Sequence, residues 1–152
     1  MSTPTWSRAA GWASVVGVDF AEGMLELARN SARRAGVEHR CRFERGDFMN
    51  WSPPGKFDYV IAMGFMDYVA HPSAVVAKVM SVAECRAFFS FPLDGGLLAW
   101  QRKLRYRRRC LLYMYTEKQI AALFELTSSK INVRRISRDL FVEAEASQAA
   151  MS

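Results

Sequence analysis

The chain of 152 residues is 51% hydrophobic and 12% aromatic, which suits one globular domain and excludes a disordered chain. Its formal net charge of +6 equals the charge of residues 101–109, QRKLRYRRR, a stretch with six basic residues and no acid. Any interaction with a polyanion would therefore depend on that stretch, because the rest of the chain is balanced in charge.

The three cysteines, Cys41, Cys85 and Cys110, are widely spaced and form no CxxC pair. Together with His39 and His71 they give no spacing typical of a metal site, so we expect no bound metal. An odd number of separated cysteines favours reduced thiols and a cytoplasmic location.

The amino-terminal region contains a short apolar segment, residues 9–18, behind Arg8. A secretion signal has such a segment, but no small-residue cleavage site follows here, and Asp19 leads into a helical pattern. No apolar run reaches the roughly 18–20 residues that a membrane span needs. The sequence therefore favours a protein that stays in the cytoplasm.

Hydrophobic periodicity and turn residues predict alternating strands and helices along the chain. Strands are predicted over 14–19, 37–48, 57–63, 84–91, 131–137 and 140–144, and helices over 21–35, 72–81, 97–112 and 117–126. Thr116 directly precedes the last helix and is its predicted N-cap. This alternation indicates an α/β fold with no second domain and no internal repeat.

The first predicted strand and helix are joined by a short turn, and the strand ends at an acid, Asp19. Four apolar residues follow at helical spacing and are predicted to form a buried face, namely Met24, Leu25, Leu27 and Ala28. Gly36 stands where a left-handed residue commonly ends a helix. The unit therefore places a carboxylate at the carboxyl end of a strand, where ligands bind in open α/β sheets.

The runs VVGVDFAEGMLELAR, RFERGDF, FDYVIAMGFMDYV, FFSFP and YTEKQIAALFE occur in this order. From residue 15 onward the chain resembles a class I S-adenosylmethionine-dependent methyltransferase. The resemblance implies a Rossmann-like fold: a mostly parallel open sheet with helices on both faces and an antiparallel strand pair at the C-terminal end. It also implies S-adenosylmethionine as the cofactor.

Six residues match positions that bind the cofactor in that family. They are Asp19, Phe20, Asp47, Phe48, Met63 and Gly64. By resemblance, Asp19 accepts hydrogen bonds from the ribose hydroxyls, and Asp47 accepts one from the adenine amino group, with Phe48 against the ring. Two structural alternatives stay open, namely that Asp19 only starts the next helix and that Asp47 only forms a turn.

Methyl transfer depends chiefly on positioning of the acceptor, and a base is needed only where the acceptor carries a proton. Asp67, Tyr68 and His71 follow the central strand and are the candidates for such a base. Four further side chains are candidates for contact with a small-molecule substrate. They are Trp100, Arg102, Tyr113 and Tyr115.

The sequence departs from the family before Asp19. A glycine-rich loop is expected about 20 residues before that acid, but the 18 preceding residues contain one glycine, Gly11. We therefore expect residues 1–152 to be a single, amino-terminally truncated domain without the family's first strand. Such a domain has an exposed sheet edge, which favours a homodimer, and its activity is expected to be impaired.

Two other functions remain open on the sequence alone. The chain could be a non-catalytic remnant that serves as an interaction module, or it could bind RNA or an anionic surface through the basic helix 101–109. Since such a run is more often a solvated helix face, we do not expect a nucleic-acid or membrane partner.

Overall fold

The structure, a computed structural model, describes residues 14–93, 113–125, 127 and 129–146 of the chain. These residues fall into two units, one within Met1–Ser52 and the other within Pro53–Ser152, and each unit has its own sheet. Among the helices described, none combines the length and the apolar character that crossing a membrane requires. The predicted helix over 97–112 lies outside the described residues, as do Trp100 and Arg102.

The first unit is a β-α-β arrangement of β1 (Val15–Asp19), α1 (Glu22–Arg34) and β2 (Cys41–Arg45). The two strands are parallel and form a two-stranded sheet. Gly36 follows the helix with a φ of +69°, a left-handed conformation that glycine adopts without steric cost. The predicted end of this helix is therefore confirmed.

The strand predicted over 37–48 is shorter in the structure. Residues Glu38–Arg40 form a 3₁₀ turn, and the strand begins only at Cys41. The backbone N–H of Val37 donates to the carbonyl of Ala32, so the chain is still closing the helix there and has to turn before it enters the sheet. Alternation of side chains alone does not reveal such a turn.

The predicted buried face of this helix is confirmed at Leu25 and is wrong at Met24 and Leu27. Leu25 is buried, as is Ala32, whereas the exposed fractions of Met24 and Leu27 are 48% and 52%. A sheet of two strands covers only a narrow stripe of a helix, so the outer part of the apolar pattern stays in solvent. The structure thus leaves large apolar side chains exposed on the first unit.

The second unit contains a four-stranded sheet with the strand order β3-β4-β6-β5. Its elements are β3 (Phe57–Ala62), α2 (Pro72–Val82), β4 (Ala83–Pro92), α3 (Glu117–Glu125), β5 (Ile131–Ile136) and β6 (Asp139–Glu145). β3 is parallel to β4, and β6 is antiparallel to both β4 and β5. The α/β class and the antiparallel strand pair at the C-terminal end are confirmed.

Helix α3 begins with a reciprocal pair of hydrogen bonds between Thr116 and Gln119. The backbone N–H of Gln119 donates to Oγ1 of Thr116 at 3.3 Å, and the N–H of Thr116 donates to Oε1 of Gln119 at 2.8 Å. This capping box satisfies two backbone donors that the first turn of a helix leaves unpaired. The predicted N-cap is confirmed.

The core of the second unit lies on one face of its sheet, where α2 and α3 pack. Phe89 and Phe91 of β4 are fully buried, and the ring of Phe124 from α3 meets that of Phe89 edge-on at 5.2 Å between centroids. The opposite face differs, since Tyr59 and Ile61 of β3 are 55% and 54% exposed. Strand β3 therefore has one buried and one open side.

Candidate functional site

Two carboxylates lie at the same edge of the first sheet. Asp19 is the last residue of β1 and is paired in register with Arg45, the last residue of β2. The N–H of Gly46 donates to the backbone carbonyl of Asp19 at 3.0 Å, and Asp47 comes next along the chain. The carboxyl ends of adjacent parallel strands, about 4.8 Å apart, thus bring the two predicted cofactor residues together.

The carboxylate of Asp19 is half-buried and has one role within the protein. Its Oδ1 accepts a hydrogen bond from the backbone N–H of Ala21 at 2.8 Å, immediately before α1. Among the described residues, no further hydrogen bond or ion pair reaches its Oδ2. The start of α1 therefore occupies one oxygen of Asp19. The second oxygen can still accept a hydrogen bond from a ligand.

The carboxylate of Asp47 is exposed and holds a turn. Its Oδ1 accepts from the backbone N–H of Met49 at 2.9 Å, and its Oδ2 accepts from Nδ2 of Asn50 at 2.7 Å. These contacts form the turn that sequence analysis gives as the alternative role of Asp47. Each carboxylate oxygen has a second lone pair, so a ligand donor is not excluded by these contacts.

Aromatic side chains flank both acids. The ring of Phe20, next to Asp19, is 78% exposed, which is unusual for a phenylalanine in a folded chain. Phe48, next to Asp47, is half-buried, and its ring centroid lies 6.3 Å from that of Trp51. The indole N–H of Trp51 donates to Oε2 of Glu44 at 2.9 Å, which fixes the indole beside Phe48.

The end of β3 in the second unit carries Met63 and Gly64. Met63 is 47% exposed. Gly64 has a φ of +78°, and its N–H donates to Oγ of Ser90 on β4 at 3.0 Å. The left-handed backbone turns the chain away from the sheet at the carboxyl end of the strand, where sequence analysis places these two residues.

The three candidates for a base differ in exposure. A 3₁₀ turn, Met66–Tyr68, presents Tyr68 with 57% of its surface in solvent, whereas Asp67 is only 6% exposed. His71 is exposed and directly precedes α2, but its side chain does not cap that helix. A role for Asp67 at a substrate is therefore harder to reconcile with the structure than one for Tyr68 or His71.

Tyr113 and Tyr115 hold this turn in place. The N–H of Tyr113 donates to the backbone carbonyl of Asp67 at 2.8 Å, and the hydroxyl of Tyr115 donates to the carbonyl of Met66 at 3.2 Å. Burial raises the pKa of the Tyr115 hydroxyl, and the charges of Tyr113 and Asp67 raise it further. Tyr115 is buried, so its contact with a substrate stays a prediction, while its contact with the turn is observed.

Sequence reasoning missed three side chains that support these positions. They are Trp51, Glu44 and Ser90. Trp51 stands among turn-forming residues, where a large aromatic is a signal of packing against a neighbour. Nothing in the local sequence pairs Ser90 with Gly64, since that contact arises only from the register of β3 and β4.

Comparison with known proteins supplies the family. The profile described as "Methyltransferase domain" matches residues 2–84, more than half of the chain. The ubiquinone biosynthesis O-methyltransferase of Methylococcus capsulatus is 30% identical over 80 residues, which is 53% of this chain and 34% of that protein. The match thus spans about a third of the length of this relative.

Solved structures show the same fold. The magnesium protoporphyrin IX methyltransferase of Synechocystis PCC 6803, crystallised with bound SAH, has a TM-score of 0.70 at 20% identity. The match covers 88% of this chain and 64% of that chain. An O-methyltransferase family protein from Burkholderia thailandensis has a TM-score of 0.75 at 12% identity. This match covers 90% of this chain and 45% of that chain. The profile match, the two acids at the strand ends and this likeness agree: the chain belongs to the methyltransferase domain family and has its Rossmann-like fold.

Proposed function

We propose that the chain binds S-adenosylmethionine and transfers its methyl group to a small-molecule acceptor. The observation that carries the proposal is the placement of Asp19 and Asp47 at one edge of the first sheet, each beside an aromatic side chain. When bound, S-adenosylmethionine supplies a methyl group activated by its sulfonium. The protein's part is to bind the nucleoside, orient the acceptor and exclude water.

The described residues of the first unit fit the nucleoside part of that cofactor. Oδ2 of Asp19 has no protein partner among them and can accept from a ribose hydroxyl, as a carboxylate at a strand end does in open α/β sheets. The exposed ring of Phe20 offers an apolar surface to the nucleoside. Asp47 would accept from the adenine amino group, with Phe48 against the base.

Residues of the second unit have proposed roles that rest on the resemblance. Met63 and Gly64 would lie near the methionine part of the cofactor. An acceptor that carries a proton needs a base, and Tyr68 and His71 are the exposed candidates. Oxygen as the acceptor atom is favoured because the relative from Methylococcus capsulatus is named as an O-methyltransferase.

Titration calorimetry of the 152-residue chain with S-adenosylhomocysteine tests the proposal. We expect binding in the micromolar range. Asp19→Asn keeps an oxygen that can accept from Ala21 but removes the charged acceptor, so we expect an affinity loss of about ten- to a hundredfold with an unchanged unfolding temperature. Asp58→Asn, which changes an exposed acid of the second unit, is the matched control and should bind as the wild type does.

Two results would contradict the proposal. One is a folded wild-type chain that does not bind the ligand at saturating concentration. The other is full affinity in Asp19→Asn, which would leave Asp19 with the helix-start role alone. Equal losses in Asp19→Asn and Asp58→Asn would also count against it, because the effect would then not be specific to the strand end.

Location and self-association belong to the same proposal. A cytoplasmic location is supported by the odd number of separated cysteines in the sequence. Pairing of two copies at a sheet edge is supported by β1 and β3, each of which has a strand partner on one side only among the described strands.

A further inference from the structure

A tryptophan of the first unit lies beside Phe48, the residue proposed to contact adenine. Trp51 ends the turn that begins at Asp47, and its side chain is half-buried. Its ring centroid lies 6.3 Å from that of Phe48, and the two ring planes are tilted by 31°. At this separation aromatic rings attract each other beyond the effect of simple burial. Trp51 is therefore placed to influence the orientation of the Phe48 ring.

The turn is held from within and also from the sheet. The backbone N–H of Asn50 donates to the carbonyl of Asp47 at 3.0 Å, which closes the turn internally. The indole N–H of Trp51 donates instead to Oε2 of Glu44, at 2.9 Å. Glu44 belongs to β2, so this hydrogen bond links a side chain of the turn to the sheet.

The acceptor of this hydrogen bond is itself held in place. Oε1 of Glu44 forms an ion pair with Nε of Arg42 at 2.9 Å, and only 27% of the Glu44 side chain is exposed, which limits competition from water. A hydrogen bond to an ionised carboxylate is stronger than one to a neutral acceptor. By register Glu44 lies opposite Val18, the residue before Asp19. The sheet that positions Asp19 therefore also positions the indole of Trp51.

We infer that Trp51 and Glu44 are positioning residues that hold the ring of Phe48 in the orientation in which it contacts adenine. The inference rests on the proposed function, because it requires the nucleoside to bind beside Phe48. A phenylalanine in a turn can otherwise occupy several rotamers, and binding then has to immobilise its side chain. Immobilising one such side chain lowers affinity by about two- to tenfold, a loss that is avoided when the ring is fixed beforehand.

Titration calorimetry of the full chain with S-adenosylhomocysteine tests the inference in two variants that break the same hydrogen bond. Trp51→Phe keeps an aromatic ring but removes the N–H donor, and Glu44→Leu removes the acceptor. Both should weaken binding by about two- to tenfold. Glu44→Gln keeps an oxygen that can accept from the indole and should recover most of the affinity. Circular dichroism checks that each variant is folded at the temperature of the titration.

Double-mutant cycles separate this role from a general loosening of the first unit. If the indole acts through Phe48, adding Trp51→Phe to Phe48→Ala should weaken binding by less than about twofold further. Asp19 acts at the ribose, so Trp51→Phe should keep its full effect when it is combined with Asp19→Asn. A general loosening would instead give the same loss in both backgrounds. Ligand concentrations up to about 1 mM cover the weakest of these affinities.

The outcomes distinguish this inference from the proposed function. If the wild type binds and Asp19→Asn weakens binding, full affinity in either Trp51→Phe or Glu44→Leu would overturn the inference alone. A loss in Trp51→Phe that persists in the Phe48→Ala background would also overturn it. So would equal losses in Glu44→Gln and Glu44→Leu, since the charge of the carboxylate and not the hydrogen bond would then be responsible. A folded wild type without affinity for S-adenosylhomocysteine would contradict the proposed function and this inference with it.

Discussion

The two sheets of this protein differ in how well they are buried and in what they carry. Within the described part of the first unit, Leu25 and Ala32 are the apolar side chains that reach full burial. In the second unit, by contrast, Phe89, Phe91 and Phe124 form an interlocking aromatic core. The proposed nucleoside site thus belongs to the sheet with the smaller core.

Ligand-binding sites in proteins commonly lie in the less stable parts of the structure. The first unit lies within the 52 residues Met1–Ser52, and a unit of that size has a small core and is only marginally stable by itself. Binding segments are drawn from the less stable parts of a structure, and a ligand that binds only the folded form stabilises it. We therefore expect cofactor binding to stabilise the first unit more than the second.

The largest expected effect is a difference in unfolding free energy between core variants of the two units. Phe124→Ala removes a ring that is 1% exposed and contacts Phe89 and Phe91, so the free energy of unfolding of the second unit should fall by about 3–5 kcal/mol. Leu25→Ala in the first unit should cost about 2 kcal/mol, the lower end for such a change, because the two-stranded sheet offers it a smaller core. Urea unfolding followed by peptide-resolved hydrogen exchange assigns each loss to its unit.

The control for this pair is Leu27→Ala, an exposed position where the change in free energy should stay within about 0.5 kcal/mol. A loss below about 1 kcal/mol for Phe124→Ala would show that the aromatic cluster is not the core we describe. Equal losses in both units would remove the contrast between the two sheets.

A second comparison uses two glycines with the same conformation in different units. Gly36 and Gly64 have φ values of +69° and +78°, and a Cβ at either position would meet no atom within 4 Å. Alanine at either site therefore introduces backbone strain without a clash, at about 1–2 kcal/mol. Each variant should lower the protection of its own unit in hydrogen exchange. A stabilising effect at either site would contradict the left-handed backbone described there.

Local features of the fold could be predicted from the sequence, and features that depend on distant contacts could not. Gly36 and Thr116 have signals within a few residues, and both predictions are confirmed. The meeting of Asp19 and Asp47 follows from the general geometry of parallel strands. The exposure of Met24 could not be foreseen, because burial depends on how many strands the opposing sheet has.

The candidate site shows the same limit. The position of Asp67 after β3 is evident from the sequence, but the hydrogen bonds to the backbone of its turn come from Tyr113 and Tyr115, more than 40 residues further along the chain. The pairing of Gly64 with Ser90 likewise requires the register of two strands. Sequence therefore locates the acids of the first unit but not the contacts that orient the Met66–Tyr68 turn of the second unit.

The smallest expected effect concerns that turn and depends on pH. Tyr115→Phe removes the hydroxyl that donates to Met66 and should cost about 0.5–1.5 kcal/mol at neutral pH. Because burial raises the pKa of Tyr115 above 10.0 in the folded state, the unfolded chain loses this proton first as the pH rises. The stability that the protonated hydroxyl contributes is therefore complete below pH 10 and declines as the pH rises toward the folded-state pKa.

The difference in unfolding free energy between wild type and Tyr115→Phe, measured in urea from pH 7 to pH 11, should accordingly be constant up to about pH 10 and then shrink. A difference that grows with pH would mean that the hydroxyl ionises more readily in the folded protein, which contradicts its burial beside Asp67.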